Sequence, residues 1–366
     1  MPVQVIDLSG TPYQMGVAHG RLLRDEIHAF YRTRLGYSIN EAAEVGVIHT
    51  EASILATARQ HLVHFERDLP QVWAEFVGIA EGAGMDPARL YVTNGQTDLV
   101  DHLRIPSTAT AVDRGCTAIL VGGGRSSTGH ALLAQTWDMH PDAEQFVRVF
   151  RRRPLAEDGT RPLPASLVLS TAGCLSLTGI SASGVGMGTN DLKPDDARDG
   201  LMYLALIHNA LAQADLGSAV AAIRDARRAS GHNYLFAGDR SIVNLEATAA
   251  EYELFQSENE IYAHGNHYLT PRFAVRDQMD MSQSTSPTRC ARVDALLAEK
   301  GDAPLGPADL WAYLANREDG ENSICRINHP DVTTCAAVVL SPATGEMWAT
   351  AGDALQNEAI VLRLRD

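Results

Sequence analysis

The chain has 366 residues, 45% of them hydrophobic, and a formal charge of −15. That is apolar material for a full core, in one large domain or two modest ones. The acidic balance argues against a nucleic-acid partner, because phosphate binding wants a concentrated basic surface. No run of about 18 apolar residues suggests a membrane span.

The opening "MPVQVIDLSG" lacks the basic start and long apolar stretch of a secretory signal, so the expectation is a cytoplasmic protein. The residues before Cys116 read as helical. Leu55, Ala58, Leu62, Phe65 and Leu69 recur at steps of three and four, which puts one apolar face on a helix. A second helix ends near Gly82–Gly84, and Asp86 with Pro87 marks the cap and first turn of a third.

From Cys116 the period changes to that of strands. "CTAILVGG" and "HALLAQTWD" form a pair joined by the turn-rich "GRSSTG", followed by "FVRVFRR", "ASLVLST" and "LTGISASGVGMGTN". The basic "RVFRRR" alternates like a strand end and reads as a solvated edge. Two helices follow ("LMYLALIHNALAQA", "LGSAVAAIRDARRA"), then strands "NYLFAG", "SIVNLEAT" and "EYELFQ". After a loop over 264–288 come helices "CARVDALLAEK" and "ADLWAYLANRE" and the closing strands "TCAAVVLS", "MWATAG" and "AIVLRLR". Strands in adjacent runs with paired helices between them predict an α+β fold. The order fits a four-layer αββα sandwich of two antiparallel sheets rather than a parallel array. The boundary is expected at Gly115–Cys116, with 1–115 a helical segment and 116–366 the core.

Five cysteines, Cys116, Cys174, Cys290, Cys325 and Cys335, form neither a disulfide framework nor a zinc-type CxxC pattern. Cys174 and Cys335 sit in apolar stretches and read as core. His264 and His267 in "HGNH" lack a carboxylate or thiol at ligand spacing, so no metal is expected. "GGGRSSTG" lacks a phosphate-loop lysine and reads as a hairpin turn, and no cofactor motif stands out. His19 reads as a structural helix histidine.

Cys116, directly after Gly115 and at the head of a strand, has two readings. It is a small buried strand residue, or it is a nucleophile projecting from the sheet's edge. A free thiol wants a base. Cleavage of the Gly115–Cys116 bond would supply one, because Cys116 would then carry an α-amine of pKa about 8 next to its own thiol. A histidine such as His232 or His267 is the other source of a base. A non-catalytic binding protein of the same fold is a third possibility at this stage.

Seven stretches, in order, resemble the acyl-coenzyme A:6-aminopenicillanic acid acyltransferase-like family of N-terminal-nucleophile (Ntn) hydrolases. They are "GTPYQMGVAHG", "GIAEGAGM", "GCTAILV", "GHALLAQTWDMH", "SGHNYLFAGDRSIVNLEAT", "HGNHYLTP" and "NSICRI". The resemblance implies an autocatalytic cut between Gly115 and Cys116, a small chain and a large chain that stay associated, and Cys116 as the nucleophile. It implies Asp138 as a carboxylate near the nucleophile, paired with Arg289, and Asn233 as an oxyanion donor. Asn190 fills a similar place in more distant Ntn relatives. The activity implied is hydrolysis of a small N-acyl amide, with transfer of the acyl group to an amine, from coenzyme A or elsewhere, as the alternative. An acidic protein suits a cationic or neutral amine portion. Neither the substrate-binding residues nor a homo-oligomeric state follows from the sequence.

Overall fold

A computed structural model of the protein describes residues 2–44, 46–103, 115–282, 284–327, 329 and 331–365. The N-terminal part is not wholly helical. It begins with strand β1 (Gln4–Gly10), in which Ile6 and Leu8 face the core and Asp7 and Ser9 face out, the period of a strand. Helices α1 (Pro12–Leu22), α2 (Arg24–Glu44), α3 (Glu51–Asp68), α4 (Pro70–Ala83), α5 (Pro87–Asn94) and α6 (Gln96–His102) follow. Thr11 and Gln14 cap α1 reciprocally, with Pro12 in its first turn. α1 and α4 pack with Gly16 and Gly20 against Gly78 and Gly82. A Cβ on any of the four would run into the partner helix's backbone, which gives "GVAHG" and "GIAEG" a packing reason.

Two sheets follow. Among the described residues, the larger has the order β1-β4-β5-β6-β7-β8-β9-β10. Its strands are β4 (Val147–Pro154), β5 (Ser166–Thr171), β6 (Thr178–Ser181), β7 (Gly186–Asp191), β8 (His232–Ala237), β9 (Ile242–Ala247) and β10 (Tyr252–Ser257). The smaller has the order β11-β2-β3-β12-β13-β14, from β2 (Cys116–Val121), β3 (Leu132–Met139), β11 (Ile261–His264), β12 (Thr333–Ser341), β13 (Glu346–Ala351) and β14 (Ile360–Arg363). Neighbours are antiparallel except β1 and β4, which run parallel from Gln4 opposite Arg148 to Gly10 opposite Pro154. The segment "RVFRRR" is therefore not at a sheet edge. It is covered by β1 on one side, and Arg152 is buried.

Helices α7 (Tyr203–Leu211) and α8 (Leu216–Arg224) cover the larger sheet. After the short α9 (Pro271–Ala274), α10 (Ser286–Lys300) and α11 (Pro307–Leu314) cover the smaller one. β2 and β3 pack face to face on β7 and β8, which completes four layers, helix–sheet–sheet–helix, with α1–α6 added at one side. Among the described residues no helix is long and apolar enough to cross a membrane.

β2 is buried at every position, as an inner strand of a sandwich must be. It pairs with β3 along its length, Cys116 opposite Trp137. On its other side β11 stops at His264, opposite Ala118. The first two residues of β2 thus have no strand on that flank, and side chains take the place of the ladder there.

Candidate active site

Those side chains form a clamp around Cys116. Its N–H donates to Asn266 Oδ1 at 2.7 Å. Its carbonyl accepts from Arg289 Nη1 at 2.6 Å and from Asn190 Nδ2 at 3.1 Å. Arg289 also donates to Thr117 Oγ1 (2.9 Å), Asn266 Oδ1 (3.0 Å) and Thr285 Oγ1 (3.1 Å), and the whole side chain is buried. Asn266 is fixed in turn by its Nδ2–H on the Asp191 carbonyl at 3.1 Å and by Ser286 Oγ accepting from its N–H at 2.7 Å.

One residue earlier, the Gly115 carbonyl accepts the Asp138 N–H at 2.7 Å. The C=O and the N–H of the Gly115–Cys116 peptide are therefore both gripped. Gly115 has no positive φ, so its conformational freedom is not what the site uses. A Cβ there would lie 2.5 Å from Asn266 Oδ1 and closer still to Arg289 Nη2, so the glycine is needed for space. Asp138, the penultimate residue of β3, is buried and accepts from Thr334 Oγ1 at 2.7 Å. Thr334 is brought opposite it where β12 shifts register between Thr334 and Ala336, a use of irregular pairing common beside active sites.

Burial pushes the Cys116 thiol up, the Asp138 carboxylate pushes it further, and Arg289 opposes them without winning. With the Gly115–Cys116 bond intact, the sulfur is a neutral thiol at physiological pH. Among the described residues no hydrogen bond joins it to His232 or His267. His267 Nδ1 instead meets Ser286 Oγ at 2.7 Å.

Cys116 lines a narrow cleft. Trp137, Met139, Leu177 and Tyr203 supply its apolar wall, and Thr97 brings α6 of the N-terminal part into the lining. At the polar end lie Asp191 and His232. His232 Nε2 meets Asp98 Oδ1 at 2.8 Å, and its ring stacks on Tyr203 at 4.5 Å between centroids. Burial would lower the imidazole's pKa, but the charge and hydrogen bond of Asp98 outweigh it and the ring titrates above its ordinary value. Asp191 Oδ2 pairs with Lys193 Nζ at 2.7 Å, and Lys193 also reaches Asp101 Oδ1 at 3.1 Å.

The residues picked from the sequence meet at one place, with two differences in detail. Asn190 and Arg289 both contact the Cys116 carbonyl, and Asp138 touches the preceding peptide through its backbone N–H. The expected Asp138–Arg289 pair is not among the contacts between these described residues; the guanidinium holds the Cys116 carbonyl instead, because β2 lacks a neighbouring strand there. Asn190 has its Nδ2 committed to the Cys116 and His264 carbonyls. Asn233, directly across the ladder from Asn190, is fully buried, and neither its Oδ1 nor its Nδ2 has a partner among the described residues. Sequence reasoning missed Asn266 and the Asp98–His232 pair. Asn266 lies inside "HGNHYLTP", and its signal was only the position just beyond an unrecognised strand.

Two stacked sheets between helix layers, with a cysteine heading an inner strand, define the Ntn-hydrolase fold, the fold of acyl-transferring and amide-cleaving enzymes. The family model described as acyl-coenzyme A:6-aminopenicillanic acid acyl-transferase matches residues 125–356, more than half of the 366, and the chain belongs to that family. The match begins at Arg125, beyond Cys116. Solved structures similar to this chain include the conjugated bile acid hydrolase from Clostridium perfringens. One variant is 11% identical over 68% of this chain and 92% of that one, with TM-score 0.45, and another is 12% identical over 68% and 93%, with TM-score 0.46. The penicillin V acylase from Agrobacterium tumefaciens is 11% identical over 69% of this chain and 86% of that one, with TM-score 0.41. No curated protein gives a significant match.

Proposed function

We propose that the protein is an amidohydrolase that cuts its own Gly115–Cys116 bond and then uses Cys116 as an N-terminal nucleophile on a small N-acyl amide. The observation that carries this reading is the grip on both sides of that bond: Asp138 N–H on the Gly115 carbonyl at 2.7 Å and Asn266 on the Cys116 N–H at 2.7 Å.

In the first reaction Cys116 Sγ attacks the Gly115 carbonyl carbon. The oxygen that becomes an oxyanion already accepts from Asp138 N–H, a donor that needs no reorganisation. The C–N bond breaks, the thiol proton ends on the Cys116 nitrogen, and a thioester joins Gly115 to Sγ. Water hydrolyses it, leaving a Gly115 carboxylate, a Cys116 thiol and an α-amine. Asn266 Oδ1, which holds the amide N–H before the cut, accepts from the amine afterwards.

The new amine supplies the base the thiol lacks in the uncut chain. It takes the Sγ proton as Sγ attacks a substrate carbonyl, then gives it to the departing amine. Asn233, whose amide is unclaimed, is the candidate donor to the substrate oxyanion. Arg289 and Asn190 position Cys116 through its carbonyl, and the positive guanidinium favours the thiolate. Water then hydrolyses the acyl-enzyme thioester; an amine in its place would make the same enzyme an acyltransferase. In this reading the segment ending at Gly115 stays bound to the core as a small chain.

Intact-mass spectrometry with denaturing electrophoresis tests the proposal. The expected result is two fragments split at Gly115–Cys116, and a mass increase on the Cys116 fragment after exposure to acyl amides. Cys116→Ala should give one uncut chain near 39.5 kDa with no turnover. A wild-type chain that stays whole for days, or a Cys116→Ala variant that is still cut and active, would falsify it.

A further inference from the structure

The polar end of the cleft holds buried His232 and partly buried Asp191, whose shielded Nδ1 and Oδ1 have not found each other. Asp191 Oδ1 and His232 Nδ1 each lack a partner among the described residues, and they stand 3.9 Å apart, too far for a hydrogen bond. Their other polar atoms are committed, Asp191 Oδ2 to Lys193 and His232 Nε2 to Asp98. Both residues line the cleft that contains Cys116. An oxygen about 2.8 Å from each would satisfy both at once.

The chemistry of that oxygen follows from the two groups. A carboxylate accepts and never donates, so Nε2 facing Asp98 carries a proton. Asp98 and Asp191 on either side favour a second proton on Nδ1, in keeping with the upward shift of the ring. The notch thus presents one donor, Nδ1–H, and one acceptor, Oδ1. A hydroxyl answers both. An ammonium donates only and would face Nδ1–H, a carboxylate accepts only and would face Oδ1, and a methyl would leave two buried polar groups unsatisfied.

We infer that the cleft selects amides bearing a hydroxyl close to the scissile carbonyl, held between Asp191 Oδ1 and His232 Nδ1. This rests on the amidohydrolase reading above. It makes Asp191 and His232 specificity residues and gives them no part in bond breaking.

The test uses the processed enzyme and N-acyl amides in matched sets, one carbon skeleton each, carrying hydrogen, hydroxyl or ammonium on the carbons nearest the carbonyl or on the amine portion. Amine release gives kcat/KM, and mass spectrometry reports acylation of Cys116. In at least one set the hydroxyl member should exceed the unsubstituted and ammonium members by about 10- to 100-fold, the scale of a hydrogen bond to a charged group. In Asp191→Ala that ratio should fall toward one, with processing at Gly115–Cys116 as the check that the variant folds. Cys116 acylated with ratios within about threefold across every set, as when water fills the notch for all substrates, overturns the inference alone. No acylation by any member removes the amidohydrolase reading and the inference with it. If Asp191→Ala fails to fold, the wild-type ratios decide.

Discussion

Two buried charge clusters tie the N-terminal helices to the sheets, and they differ in one respect. In the first, Arg152 of β4 holds Glu75 of α4 through both Nε (3.3 Å to Oε1) and Nη2, and its Nη1 donates to Ser166 Oγ at 3.2 Å. Nη2 also donates to His208 Nε2 at 2.8 Å, and His208 Nδ1 meets Ser176 Oγ at 3.0 Å. Burial, then Arg152, push His208 down against the opposing pull of Glu75. No side-chain atom of Glu75, Arg152 or His208 is left over. In the second cluster Asp98 and Asp101 of α6 meet His232, Lys193 and Ser230, yet His232 Nδ1 and Asp191 Oδ1 remain open beside the cleft. A closed network of this kind serves to hold elements together, whereas an open one beside a cleft has room for a further partner.

The largest effect that would sharpen this contrast is on stability. Glu75→Ala leaves Arg152 buried without its counter-charge and should cost about 3–5 kcal/mol in denaturant unfolding. Asp191→Ala, whose partner Lys193 keeps Asp101, should cost about 1 kcal/mol or less. Equal losses at the two sites would erase the distinction.

Acid should separate them next. Burial tends to raise the Glu75 carboxyl, but Arg152 and His208 outweigh it and bring it down to about 2 from an ordinary 4.5. A carboxyl that titrates lower when folded contributes stability above its unfolded pKa and loses it as the pH falls toward the folded one. Unfolding free energy of the wild type should therefore drop between pH 4.5 and 2 more steeply than that of Glu75→Gln. Parallel curves would show that the pair is not ionised as described.

The smallest effect concerns the clamp at Gly115. A methyl at this position presses on Asn266 and Arg289, so Gly115→Ala should slow the proposed cut by about tenfold, roughly 1.4 kcal/mol of activation free energy. Time-resolved electrophoresis measures it. A rate equal to wild type would mean that the crowding at Cβ is relieved without cost.

Much of this was legible in the sequence where local pattern decides. Periods of two and of three to four identify most strands from β2 onward and the longer amphipathic helices, and the change of period marks Cys116. β1 escapes because only Ile6 and Leu8 of its seven residues are buried, and β11 because four residues, Ile261–His264, carry too little pattern. Arg152 looked like a surface charge, since nothing local signals that Glu75, 77 positions away, will neutralise it. The site divides in the same way. Cys116, Asn190 and Arg289 carry recognisable neighbours, while Asp98 and His232 are 134 residues apart and acquire meaning only when α6 is laid over the end of β8.

The parallel pairing of β1 with β4 has a thermodynamic consequence. Residues 4–10 form a seven-residue ladder at one edge of the larger sheet, and α6 of the same N-terminal part meets His232 and Lys193 beside that sheet. While the chain is whole, those contacts are intramolecular and its stability has no concentration scale. Under the proposed cut after Gly115, the same contacts would join two molecules, and dilution would become a denaturant.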